Sequence, residues 1–244
     1  MMRIRALSLD LDDTLWPIQP TIQAAEQAVF DWLSARCPHV AGQWSLVSMR
    51  ALRDQIASDH PELAHDFGAQ RKLSLAQVIG GPQADQAELV EQAFEIFLAA
   101  RNRVTLYAEV DHALPRLAAL LPLISLSNGN ADLQRMGLAQ HFAARLSARD
   151  VGIAKPDAKL FQHAARTLDL PIAAIAHVGD DPLLDVQGAK AAGMFSIWLN
   201  RDRRTWDLPD RPDQGGGYGN MGAVLVGKIM GIDDPGGAAL EQLQ

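Results

Sequence analysis

Hydrophobic and polar positions repeat with two different periods along this chain, and the change of period divides it. Residues 3–11 (RIRALSLDL) form a short apolar run that predicts a buried strand. Beyond them Ile22, Ala25, Val29, Trp32 and Leu33 recur every three or four residues, the spacing of an amphipathic helix over about 21–36. Similar patterns predict helices near 45–58, 71–80 and 83–104, separated by the turn signals HPEL and GGPQ. No strand pattern interrupts this stretch, which forms an all-helical module of about 85 residues.

After it, short apolar runs alternate with helical patterns. A helix near 111–120 precedes PLISLSN (122–128), and helices near 131–140 and 157–168 are followed by IAHVG (175–179) and MFSIWL (194–199). Strands alternating with helices predict a parallel sheet covered on both faces. The strand at 3–11 joins that sheet, because nothing in 17–105 can pair with it. The expected architecture is α/β: a Rossmann-like core from residues 1–16 and 106–205, with an all-helical cap, 17–105, inserted after the first strand. Residues 206–244 are loop-rich, opening with DLPDRPDQGGGYGNMGA; GAVLVGKIMGI has the pattern of a short helix or strand, and PGGAALEQLQ that of a frayed tail.

Composition narrows the partners. A net charge of −7 argues against nucleic acid and anionic membranes, yet permits a small phosphorylated substrate, because a metal or local Lys and Arg can reverse the sign at a site. The single cysteine, Cys37, precludes an internal disulfide and suits a reducing compartment. MMRIRALSLDL lacks the apolar segment of a secretion signal, and no apolar run reaches bilayer-spanning length, so the expectation is a soluble cytoplasmic protein. Oligomeric state leaves no sequence signal.

Sites on parallel α/β sheets form beyond the carboxyl ends of the strands. The first strand ends in Asp10 and Asp12, the second in Ser127 and Asn128, and the run at 175–179 in Asp180 and Asp181, with Asp185 one turn later. Lys155, before a proline, lies between them in sequence. Strand alternation puts Asp10 and Asp12 on one side and Asp13 on the other. Two carboxylates about 4 Å apart repel by roughly 4 kcal/mol at an effective dielectric of 20. A divalent cation or a raised pKa relieves that repulsion, and ligands that are all oxygen favour Mg²⁺. Asp10 is then placed to attack phosphorus, Asp12 to move protons, and Ser127, the Asn128 backbone N–H and Lys155 to hold the phosphoryl group.

These residues carry a family resemblance. DLDDT (10–14) is similar to the D-x-D-x-T signature of the haloacid dehalogenase superfamily in its phosphatase form. Ser127 with Asn128 resembles its second motif, Lys155 before Pro156 its third, and GDDPLLD (179–185) its acidic fourth, in the family's order over about residues 4–200. The helical insertion resembles its C1-type cap. SLSNGNA (125–131) and HVGDDPLLDVQGAKAAGM (177–194) look most like the flavin mononucleotide phosphatase branch. The resemblance implies Asp10 as nucleophile and Asp12 as acid and base. It also implies Mg²⁺ held by Asp10, the Asp12 backbone carbonyl and Asp180, with Asp185 behind them. The superfamily's dehalogenases lack an aspartate at the position of Asp12, so its presence favours ester hydrolysis.

The implied function is a Mg²⁺-dependent phosphatase of small metabolites such as flavin mononucleotide or a nucleoside monophosphate. A phosphomutase and a 2-haloacid dehalogenase share the fold. A receiver-like signalling domain shares the acidic pocket, but carries its phosphorylated Asp on a later strand and has no such insertion. A catalytically dead binding protein would not need Asp10, Asp12, Lys155 and Asp180 together. In the cap, Arg71, Lys72, Arg101 and Arg103 are candidates for a phosphate or nucleotide tail, and Trp16, Trp44 and Phe67 for stacking on a flat ring. Trp16 is the best placed aromatic, next to the first motif where the pocket mouth is expected. The seven histidines show no metal-ligand spacing. The Gly-rich segment 215–222 departs from the compact strand-and-helix ending of the family.

Overall fold

The computed structural model describes residues 4–81 and 83–216. Its sheet contains β1 (Ala6–Leu9), β2 (Leu123–Ser127), β3 (Ala144–Ser147), β4 (Ile175–Gly179), β5 (Phe195–Leu199) and β6 (Gln214–Gly216). The six strands are parallel, in the order β3-β2-β1-β4-β5-β6. Alternation along β1 explains why both faces are covered. Leu7 and Leu9 point to the side of α6 (Val110–Leu120), where they meet Leu114, Leu117 and Val178. Ala6 points to the side of α8 (Ala158–Thr167) and α9 (Gly188–Ala192), among Ile124, Leu126, Phe161 and Ala189. The short α7 (Ala148–Val151) follows β3 directly. The result is a Rossmann-like α/β core.

Between the first two strands lie five helices that bury a core of their own. They are α1 (Ile18–Arg36), α2 (Pro38–Gln43), α3 (Leu46–Asp59), α4 (Phe67–Ile79) and α5 (Gln83–Arg101). Val29 and Leu33 of α1 meet Leu75 and Val78 of α4 and Phe94 and Phe97 of α5, with Trp44 packed alongside. Side chains mark the helix starts: Ser45 and Ser48 form a reciprocal cap on α3, and Asp66 accepts the Ala69 N–H to open α4. The chain leaves for these helices and returns at one place, where the Tyr107 N–H donates to the Leu15 carbonyl at 3.0 Å. No helix among the described residues is long and apolar enough to cross a membrane.

Three elements differ from the sequence expectation. The helix expected near 131–140 is a series of turns ending in a single 3₁₀ turn, Ala139–His141. Asp132 accepts the N–H groups of Gln134 and Arg135, and Gly137 takes φ +70°, so side chain and backbone both divert the chain from a helix. β3 went unread because ARLS has no continuous apolar run and Arg145 is exposed. The loop-rich region after 206 contains β6, whose Gln214–Gly216 pairs with Ile197–Leu199. The Gly-rich segment therefore opens as a sheet strand. Its remainder, the GAVLVGKIMGI pattern and the tail lie outside the described residues.

Candidate active site

β1 lies between β2 and β4, so its carboxyl end is the middle of the sheet's edge. There the Asp10 N–H donates to the Val178 carbonyl at 2.9 Å, holding the residue in line with the neighbouring strand. Lys155 Nζ donates to Asp10 Oδ1 at 2.5 Å and to Asp185 Oδ1 at 2.6 Å, and all three residues are buried. Asn128 fixes the lysine: its Oδ1 accepts the Lys155 N–H at 2.8 Å and its Nδ2 donates to the Lys155 carbonyl at 3.0 Å. That side-chain clamp adds to the backbone role expected for Asn128. Pro156 then leads to Asp157, whose carboxylate caps α8 by accepting the Lys159 N–H.

Asp185 is fully engaged. Its Oδ1 also accepts from His177 Nε2 at 3.1 Å, and its Oδ2 accepts the Asp181 N–H at 3.0 Å. A carboxylate only accepts, so His177 carries its proton on Nε2 and its Nδ1 accepts from the Ser8 hydroxyl at 2.9 Å. The backbone at Gly179 must come close: a Cβ there would stand 2.2 Å from Asp185 Cγ. Asp181 accepts the N–H groups of Leu183 and Leu184, capping the wide π-type turn Pro182–Gln187.

Asp180 closes the cluster from β4. Its Oδ1 accepts from Thr14 Oγ1 at 3.3 Å, tying the first motif to the fourth. Its carbonyl accepts from Trp198 Nε1 and Arg204 Nη2, while Arg201 donates to the carbonyls of Asp13 and Thr14. Asp13 does not follow strand alternation: it lies beyond the end of β1 with φ +57°, borders the same cavity as Asp10 and Asp12, and accepts the Ile18 N–H at the start of α1.

The electrostatics divide this cluster. Burial raises the Asp10 carboxyl well above its usual range, Lys155 opposes that, and Asp185 and Asp12 add to it. Burial and the nearby Asp185 push Asp180 up to about 7. Burial would also raise Asp185, but Lys155 and His177 outweigh it and hold that carboxyl below the usual range. For Lys155 burial favours the neutral amine, and the two carboxylates reverse this and keep the ammonium charged. Burial disfavours the imidazolium of His177, whose pKa lies below its ordinary value. Asp10, Asp180 and Asp185 each offer an oxygen within 4.8 Å of the other two, an all-oxygen donor set that fits a hard divalent cation. Asp10 and Asp180 are the members of this set raised by burial, whereas Asp185 already has both oxygens occupied.

Asp12 points elsewhere, to the cap. Arg101 Nη2 donates to both of its oxygens, at 2.6 and 2.7 Å, and Trp16 Nε1 donates to Oδ1 at 2.8 Å. Gly129 makes room, since a Cβ there would stand 2.7 Å from Asp12 Oδ2. Ser127 Oγ accepts the Gly129 N–H at 3.0 Å and is otherwise open to the cavity. That cavity, about 520 Å³, has Asp10, Asp12, Lys155 and Asp180 on its core side and Arg53, Arg71 and Arg101 on its cap side. Phe67, 45% exposed, stands at its wall.

Two cap expectations are corrected. Trp16 is fully buried in the core and absent from the cavity wall, so it cannot stack on a substrate; its indole orients Asp12 instead. Arg101, expected to meet a phosphate, is committed through Nη2 to Asp12. Arg71 does reach the cavity, while Lys72 pairs with Glu91 on the surface. Sequence reasoning missed His177; the signal was a single polar residue within the apolar run IAHVG, on the same side of the strand as Gly179.

Comparison with known proteins places these features in context. Residues 4–193 match the haloacid dehalogenase-like hydrolase family. The 5-amino-6-(5-phospho-D-ribitylamino)uracil phosphatase YigB of Escherichia coli (strain K12) is 32% identical over 212 residues, covering 84% of this chain and 89% of that protein. A phosphoserine phosphatase of Thermus thermophilus is 38% identical over 132 residues, covering 52% of this chain and 53% of its own length. The crystal structure of a 2-haloacid dehalogenase from Pseudomonas syringae pv. Tomato DC3000 superposes with a TM-score of 0.84 at 34% identity, covering 93% of this chain and 98% of that one.

Proposed function

We propose that this chain, which belongs to the haloacid dehalogenase-like hydrolases, is a cytoplasmic phosphatase that hydrolyses small phosphate monoesters through a phosphorylated Asp10. The observation that carries the reading is Asp12, a carboxyl on the same cavity as Asp10 and held by two side chains, Arg101 and Trp16. A halide leaves without a proton, whereas the alkoxide of a phosphate ester needs one. An aspartate two residues beyond the nucleophile is therefore useful to a phosphatase and superfluous to a dehalogenase.

Lys155 occupies Asp10 Oδ1, which leaves Oδ2 to attack phosphorus. The ester P–O bond breaks, and protonated Asp12 gives its proton to the departing oxygen. A water then attacks the phosphoryl group, its proton passes to Asp12, and the bond to Asp10 breaks. Inorganic phosphate leaves and both side chains are restored. Ser127 Oγ, the Asn128 N–H and Lys155 receive the phosphoryl oxygens. Mg²⁺, held by Asp10, Asp180 and the Asp12 carbonyl, would supply the positive charge that lets a phosphate dianion approach these carboxylates. Asp185 acts through Lys155, which it anchors. Candidate substrates include flavin mononucleotide and nucleoside monophosphates; the E. coli relative, named for a phosphoribitylamino-uracil, supports a small phosphate ester of this general kind.

The test varies the leaving group. Wild-type protein with Mg²⁺ is expected to hydrolyse both p-nitrophenyl phosphate and an alkyl phosphate, and Asp10→Asn to lose both. Asp12→Asn should lose about 10³-fold on the alkyl ester and much less on p-nitrophenyl phosphate, whose phenolate departs unaided. Equal losses on the two esters, or dehalogenation of a 2-haloacid in place of ester hydrolysis, would overturn the assignment.

A further inference from the structure

The cap side of the cavity carries more positive charge than its acids neutralise. Glu26, 7% exposed, accepts from Arg50 Nε and from Arg53 Nη1, each at 2.5 Å. Arg53 also donates to Asp54 at 3.1 Å. Arg71 Nη1 stands 3.8 Å from the Glu26 oxygen that Arg53 already uses. Three guanidiniums thus share two carboxylates, and Arg71 is the one left over. Among the described residues its guanidinium makes no hydrogen bond; its carbon lies 3.7 Å from the centre of the Phe97 ring, and the side chain is 15% exposed.

A second orphan lies beside it. Arg101 is one helical turn beyond Phe97 on α5, so the two share a face. Arg101 uses Nη2 on Asp12, while its Nη1 is buried and has no partner among the described residues. Both residues border the cavity, Arg71 with its side chain 15% exposed and Arg101 almost wholly enclosed behind it. Buried donors of a charged group are costly unless an acceptor meets them. Water can satisfy one N–H but leaves the charge unpaired, whereas an oxyanion answers both needs, and the planar fork of Arg71 suits a carboxylate or phosphate. Burial and the neighbouring Arg53 bring the Arg71 pKa down to about 10, so it stays charged at neutral pH.

We propose that Arg71, backed by the charge of the buried Arg101, forms a subsite for a second oxyanion of the substrate, so that the preferred esters carry a carboxylate or a second phosphate besides the one removed. The subsite rests on the phosphatase reading only for the fate of the ester, and its binding can be measured apart from turnover. It also disfavours both candidates above: neither a neutral flavin ring nor a neutral nucleobase offers this end of the cavity an anion.

Calorimetry with the Mg²⁺-loaded protein decides the matter. Propylphosphonate is the single-anion probe, 3-phosphonopropionate the carboxylate arm, and propane-1,3-bisphosphonate the second-phosphate arm. At least one dianionic probe should bind about 30-fold more tightly than propylphosphonate, and the stronger arm identifies the chemistry of the group. In Arg71→Gln that ratio should fall to within about threefold, and Arg71→Lys, which keeps the charge but not the fork, should lie between. Equal affinities in the wild type, or a ratio unchanged in correctly folded Arg71→Gln, would overturn the proposal. In parallel, failure to hydrolyse any ester would defeat the phosphatase reading and leave the subsite standing. Flavin mononucleotide turned over better than 3-phosphoglycerate, with no binding preference for the dianions, would defeat the subsite and leave the phosphatase.

Discussion

The core side of the cavity gathers Asp10, Asp180 and Asp185 around one ammonium, Lys155, whereas the cap side gathers Arg50, Arg53 and Arg71 around Glu26 and Asp54. Both are unbalanced, with opposite signs and by different means. In the core Asp10 and Asp180 follow the ends of parallel strands, and Lys155 locks Asp10 to Asp185, so removing it leaves two buried carboxylates unpaired. In the cap they come from long side chains on separate helices, and the surplus cation rests against an aromatic ring. The proposed substrate, a phosphate ester with a second anion brought in with a cation, would answer both imbalances at once. The contrast is one of charge sign and of the means by which each surplus is held.

The sharpest way to break the contrast is to delete one cation from each side. Lys155→Met leaves Asp10 and Asp185 buried beside each other and should cost about 3–5 kcal/mol of stability by urea unfolding, together with all turnover. Arg71→Met removes surplus charge and should change stability by less than about 1 kcal/mol. Similar losses from the two would erase the distinction. A pH series sharpens it next. Native Asp180 holds its proton up to about pH 7, whereas the ordinary aspartate value is 3.8, so the native state binds more protons than the unfolded chain within that window. The metal-free protein should therefore lose stability as pH rises from about 4 to 7, and Asp10, raised by burial, acts in the same direction. Added Mg²⁺ should raise Tm more at pH 7.5 than at pH 5, because at low pH it must displace a proton. A metal effect equal at both pH values would contradict this. The smallest change is expected from Trp16→Phe, which removes one of the donors to Asp12 and leaves Arg101 in place. A fall of a few-fold in kcat at unchanged KM is expected, about 1 kcal/mol.

The same contrast explains what was legible in the sequence. Asp10 and Asp180 could be read because each follows a strand end, and strand ends of a parallel sheet converge whatever the loops do; Lys155 was legible from the proline that follows it, in the loop before α8. Asp12 was legible as a carboxyl but not its orientation, which Arg101 sets from 89 residues away. The role of Trp16 was misjudged for a related reason: adjacency to a motif in sequence does not reveal whether a large ring turns inward. The Arg71–Phe97 contact depends on how α4 meets α5, and helical periodicity gives the buried face of each helix but not their mutual register. β3 and β6 escaped because edge strands need no continuous apolar run.

The backbone bond between Tyr107 and Leu15, together with the grip of Arg101 on Asp12, brings the two ends of the cap insertion side by side. An insertion whose ends coincide adds little loop-closure entropy to the body that hosts it, whatever its length. The helices can therefore be lengthened, reshuffled or exchanged in evolution without disturbing the sheet, provided the returning strand of chain still presents a guanidinium to the acid. The cap is thus tied to the catalytic edge by one side chain, Arg101, as well as by its two ends.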